Sequence, residues 1–144
     1  QRGDGVAAAQ KRPACPRRFI NKQKTEDGEA VRLVAKRTWD RLAPALYEAG
    51  LLADTYRETL ECLCDSFGRY TLACAKCDGD EGMVIGTDKG NLVQSPWVAI
   101  RNKMYDQVYK AAACFGLTPA DVSGVRAVEK PTAEDDKKKF FKTG

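Results

Sequence analysis

The segment YRETLECLCDSFGRYTLACAKC, residues 56–77, decides the fold of this chain. Its apolar positions Tyr56, Leu60, Leu63, Phe67, Tyr70, Cys74 and Cys77 step by four and three in strict alternation, which is the period of one face of an α-helix. The same alternation is the spacing of a coiled-coil seam. The face is therefore expected to pack on a neighbouring helix, on a second subunit, or on both.

Upstream, a first helix is predicted to begin between Thr25 and Glu29 and to run to Glu48. Val31, Ala35, Thr38, Leu42, Ala45 and Ala49 form its stripe. Pro44 removes one backbone donor inside it, so a kink or break is expected near Asp40 to Leu42. Gly50 suits its C-terminus, and Asp54 is placed to cap the helix that follows. Residues 1–20, with Gly3, Gly5, Pro13 and Pro16, show no sustained period and read as an arm or linker.

Downstream of Cys77 the period changes. Met83-Val84-Ile85 and Asn91-Leu92-Val93 flank Thr87-Asp88-Lys89-Gly90, a hairpin signal. Ser95-Pro96 is a good helix start, with Ser as cap and Pro in the first turn. Trp97, Ile100, Met104, Val108, Ala111 and Phe115 give the face of this third helix, and Gly116 stops it. Thr118-Pro119 with Asp121 restarts a short last helix. From Glu129 the chain is a polar tail carrying Phe140 and Phe141, and no internal repeat is visible.

The expected fold class is mainly α: a helical hairpin core, a small β-hairpin insertion and a third helix. Three regions follow: a basic flexible arm at 1–24, a helical oligomerisation core at 25–128, and a polar, basic C-terminal tail at 129–144. A chain of 144 residues buries only a modest core. With a seam-like stripe, that suggests completion by ring-like homo-oligomerisation.

The net charge of +4 hides a gradient. Residues 1–24 carry +6, residues 25–129 carry −4 and residues 130–144 carry +2. A basic arm on a mildly acidic body suits contact with a polyanion, although a solubilising tail has the same composition. The candidate DNA-binding residues are Lys11, Arg12, Arg17, Arg18, Lys22 and Lys24, with Lys137, Lys138 and Lys139 as a secondary contact. No apolar run approaches the roughly 20 residues of a membrane span, and no charged-then-apolar leader opens the chain. The expectation is a soluble, non-secreted chain without membrane partners.

Catalytic chemistry finds little support. The sequence has no histidine, which removes the commonest general base and the usual partner of a nucleophilic Ser or Cys. The glycines after Cys77 lack the Lys-Ser or Lys-Thr of a phosphate-binding loop. Cys62, Cys64, Cys74 and Cys77 superficially resemble a zinc site. However, Cys62 and Cys64 fall about 200° apart around a helix axis and cannot converge on one ion. Core cysteines are the favoured reading, with no metal, no cofactor and no catalytic residue expected.

The order of elements carries a resemblance. TWDRLAPALYEAGLL, the long segment ending in CAKC, GMVIGTDKGNLVQSPW and FGLTPADVSGVR follow one another between Thr38 and Arg126. The chain resembles the small terminase subunit of tailed phages, in particular the P27 type. The resemblance rests on Trp39 with Leu42, Pro44 and Leu46; Gly50, Leu51 and Leu52; Leu60 with Cys64 and Tyr70; Ser95-Pro96; and Phe115 to Pro119. It implies a non-catalytic component of the genome-packaging motor in the bacterial host cytoplasm. Such a component recognises viral double-stranded DNA, recruits and modulates the large terminase subunit, and assembles as a closed ring. Two features depart from the family: the polar insert KQKTEDGE between Cys15 and Trp39, and the high cysteine content. The alternatives are a helical DNA-binding regulator unrelated to packaging, for which Arg101, Asn102 and Lys103 give a faint recognition-helix match, and a protein-only oligomeric adaptor.

Overall fold

The computed structural model describes residues 11–120. A one-turn helix α1 (Arg17–Ile20) leads into α2 (Glu26–Glu48), and a 3₁₀ turn at Asp54–Tyr56 opens α3 (Arg57–Asp78). Strands β1 (Val84–Gly86) and β2 (Leu92–Gln94) form a hairpin, and α4 (Pro96–Cys114) follows. The mainly helical architecture with one small antiparallel hairpin is as read from the sequence.

Local chemistry sets the helix ends. The Thr25 side chain accepts a hydrogen bond from the Gly28 amide at 3.1 Å, and Glu26, Asp27 and Glu29 lie in the first turn, where carboxylates favour the helix dipole. At the other end Gly50 takes φ 73°. The Leu51 amide donates to the Leu46 carbonyl at 2.9 Å, and the Gly50 amide to the Tyr47 carbonyl at 3.0 Å. That pair of bonds is a Schellman stop. Helix α4 ends in the same manner: Gly116 has φ 65°, and Leu117 and Gly116 donate to the Ala112 and Ala113 carbonyls. It begins on Ser95, whose hydroxyl accepts from the Trp97 amide at 3.3 Å, with Pro96 in the first turn.

Three expectations change. Helix α2 runs unbroken through Pro44. Only one backbone bond is lost there, and Trp39, Ala43 and Leu46 anchor the helix in the core on either side of that point. Its buried face also departs from the simple stripe: beyond Thr38 it passes through Trp39, Ala43 and Leu46, leaving Ala45 and Ala49 exposed. Burying a large indole stabilises more than burying two methyl groups. Finally, Asp54 opens the 3₁₀ turn, and no side-chain cap forms at Ala53 or Tyr56.

Helix α3 is central and packs on both α2 and α4. The core gathers Phe19, Ala35, Trp39, Ala43, Leu46, Leu52, Leu60, Leu63, Cys64 and Phe115. Helix α4 buries Val98, with Phe115 buried at its C-cap; Trp97, Met104, Val108 and Ala111 are half-buried, and Ile100 is exposed. In the hairpin, Val84 pairs with Gln94, Ile85 with Val93 and Gly86 with Leu92. The short helix expected from Thr118 onward extends outside the described residues.

Candidate nucleic-acid interface

The basic segment ahead of α2 is docked on the body. Phe19, a lone aromatic among cations, is 2% exposed and meets the Trp39 ring edge-on at 6.3 Å. Its backbone carbonyl accepts a hydrogen bond from Arg32 Nη1 at 2.7 Å. Arg18 donates through Nε to Glu61 at 2.9 Å and through Nη2 to Asp65 at 2.5 Å. Asp65 in turn holds Arg69 at 2.8 Å. The Gln23 amide donates to Glu29 at 2.9 Å, and Glu29 also pairs with Arg32. The hydrogen bonds from Arg32, followed by that from Gln23, hold the Glu29 carboxyl down at about 2.

These contacts divide the arm bases. Arg18 is committed to two carboxylates. Lys11, Arg12, Arg17, Lys22 and Lys24 are exposed and lie along one continuous stretch with no acid between them. Lys137, Lys138 and Lys139 lie outside the described residues. Arg101 is half-buried, with its guanidinium on the Asn102 side-chain oxygen at 3.2 Å, while Lys103 is exposed.

Beside the docked segment lies an open cleft of about 480 Å³, floored by Phe19, Val31, Leu72 and Trp97 and rimmed by Arg18 and Arg69. Lys76 Nζ sits 5.6 Å from the Trp97 ring centroid and reaches both Asp27 and Glu81. Every arginine at this cleft faces a carboxylate, so its cations are internally matched. Among the described residues Lys11, Arg12, Arg17, Lys22 and Lys24 form no ion pair, although Lys22 is near enough to help lower the Glu29 carboxyl.

The Tyr56–Cys77 stripe is divided between inside and outside. Leu60, Leu63 and Cys77 are buried, Phe67, Tyr70 and Cys74 are half-buried, and Tyr56 is 53% exposed in the 3₁₀ turn. Phe67, Tyr70, Tyr105 and Tyr109 form a ladder across α3 and α4, with successive ring centroids 6.3, 6.1 and 5.3 Å apart. Cys62 is exposed and Cys64 buried, on opposite sides of α3 as helical pitch requires. Burial pushes the Cys64 thiol up to about 12. Among the described residues no group of three or more His, Cys, Asp or Glu is placed to hold a metal ion, and no helix is long and apolar enough to cross a membrane.

Comparison with known proteins bears on the body of this structure. The family model described as phage terminase, small subunit, matches residues 35–132. The chain belongs to this family. The match takes in α2 from Ala35, all of α3, the hairpin and α4, in the order that carried the resemblance. It starts beyond residues 11–24, so the docked basic segment lies outside the matched region. Neither the curated proteins nor the solved structures yield a significant match. Membership gives the chain a role in phage DNA packaging in broad terms, in a family that is generally non-catalytic.

Sequence reasoning missed two residues of this interface, Phe19 and Arg32. The signal for Phe19 was present: an aromatic inside CPRRFI has no reason to be there in a purely solvated arm. For Arg32 the i,i+3 spacing to Glu29 was readable, but its bond to a backbone carbonyl 13 residues away carried no signal.

Proposed function

We propose that the chain is the DNA-recognising and regulatory subunit of a phage or prophage packaging motor, working in the bacterial host cytoplasm. It acts without catalysis of its own, recruiting and modulating the large terminase subunit, and does so as a closed homo-oligomeric ring. One observation carries this reading: the small-subunit family match spans most of the helical body, from Ala35 onward. The charge gradient supports DNA as the ligand, since exposed bases such as Lys11, Arg12 and Arg17 on each protomer, repeated around a ring, multiply individually weak phosphate contacts.

Native mass, measured by light scattering with and without duplex DNA, tests it. The expected result is one discrete species several times 15.9 kDa that binds duplex with strong salt dependence. A monomer at micromolar concentration would remove the ring. An oligomer indifferent to DNA would leave a protein-only adaptor.

A further inference from the structure

Among the described residues no helix packs closely on the hairpin, and Arg101 Nη1 reaches Met83 Sδ at 4.0 Å. All six residues of β1 and β2 are exposed. Met83, Val84, Ile85, Leu92 and Val93 are 54%, 58%, 39%, 78% and 41% accessible. Strand alternation and the Ile85–Val93 register put Met83, Ile85 and Val93 on one face and Val84 and Leu92 on the other. A two-stranded hairpin this short is marginal in water by itself, and here both faces carry exposed apolar side chains. Clustered exposed apolar groups of this kind mark an interaction surface.

Charge selects what covers it. Residues 78–91 carry Asp78, Asp80, Glu81 and Asp88 against Lys89 alone, while residues 11–24 carry six bases and no acid. Within the basic segment Ile20 is 55% exposed, between Arg17 and Lys22 in the chain. One chain thus presents an apolar element with an acidic border and an apolar residue with a basic border.

We propose that the hairpin of one copy docks on residues 17–24 of a second copy, with Val84 and Leu92 against Ile20 and with Asp80 and Asp88 facing Lys22 and Lys24. The two patches differ, so the contact is heterologous, and repeating it closes a ring when the rotation permits. The idea rests on the assembly reading above, and it assigns that assembly to surfaces outside the Tyr56–Cys77 stripe. Docking of α1 through Phe19 is what gives the receiving surface a fixed position.

Charge reversal in the full-length protein tests it, with the assembled fraction read by light scattering. Asp80→Lys/Asp88→Lys and Lys22→Asp/Lys24→Asp should each lower that fraction at least tenfold, and the two sets combined should restore it. Leu92→Asp should dissociate the assembly while leaving the circular-dichroism melt of the protomer unchanged, because Leu92 is 78% exposed. An assembled wild type that ignores Leu92→Asp and Asp80→Lys/Asp88→Lys would overturn the hairpin contact alone. Disruption by both sets without rescue would overturn the pairing with residues 17–24. A monomeric wild type would overturn the assembly reading itself, and this contact with it.

Discussion

Gly68 and Val31 bring α3 and α2 to backbone contact: a Cβ on Gly68 would lie 2.6 Å from the Val31 carbonyl oxygen and 3.1 Å from its Cγ1. The obstacle is main chain inside a helix, which cannot swing aside as a flexible side chain would. Ala35 and Ala73, both fully buried, are likewise small residues on the two helices. Gly68→Ala gains helix propensity of about 1 kcal/mol. Separating the helices should outweigh that gain, since overpacking costs about 1–3 kcal/mol. A urea titration should therefore show a lower midpoint for Gly68→Ala, and an unchanged or raised midpoint would mean the helices are not held this closely.

Phe19 distinguishes a docked segment from a free arm. Truncating a well-packed core phenylalanine costs about 3–5 kcal/mol, whereas a substitution in a solvated arm stays within about 0.5 kcal/mol. Phe19→Ala should fall near the first figure in chemical denaturation. It should also open the peptide bonds after Arg17 and Arg18 to trypsin at protease concentrations where the wild type resists.

How much of this was legible in the sequence depends on the range of the forces involved. The α3 stripe and the helix ends at Ser95, Gly50 and Gly116 act within a few residues, so periodicity and residue type reveal them. The hairpin was visible through its glycines, but its exposure was not, because exposure depends on what α3 and α4 leave uncovered. The docking of Phe19 depends on Trp39, 20 positions away, and on acids of α3, and six neighbouring bases pointed the other way. The buried face of α2 was misplaced beyond Thr38 because period alone does not weigh a tryptophan against an alanine.

Acid should loosen the same docking. The folded Glu29 carboxyl titrates at about 2, against 4.5 for the free group. A lowered folded value stabilises above the unfolded value, where Glu29 is ionised in both states. As pH falls from about 4.5 towards 2 the unfolded chain takes up the proton first, and the contribution is lost. Glu29→Gln should accordingly be less stable than wild type at neutral pH and should lose less between those two values. Parallel stability curves for the two proteins would show that Glu29 does not anchor Arg32 and Gln23.

Thiol chemistry should follow burial. Cys62 and Cys114 are exposed, whereas Cys64 is fully buried with its thiol raised to about 12. Thiolate is the reactive form. Alkylation of the native protein at pH 8 should label Cys62 and Cys114 and spare Cys64 until denaturant is added. Rapid native labelling of Cys64, located by peptide mass, would place it outside the core.

The DNA contact is best tested on the bases that remain free. Removing residues 1–24 outright would also remove Phe19, so a loss of binding would not separate charge from stability. Lys11, Arg12 and Arg17 are exposed and do not enter the Arg18–Glu61–Asp65 cluster. Each phosphate neutralised steepens log affinity against log salt by about 0.9, so replacing all three by alanine should flatten the slope by up to about 2.7 per protomer engaged. Because phosphate contacts carry no sequence information, affinity should fall alike for any duplex. Arg18→Ala should change the slope little, as its charge is already matched by carboxylates, while lowering stability through the lost bonds to Glu61 and Asp65. If the triple variant keeps both slope and affinity, the contact lies elsewhere, with Lys22 and Lys24 and then Arg101 and Lys103 the next pairs to substitute.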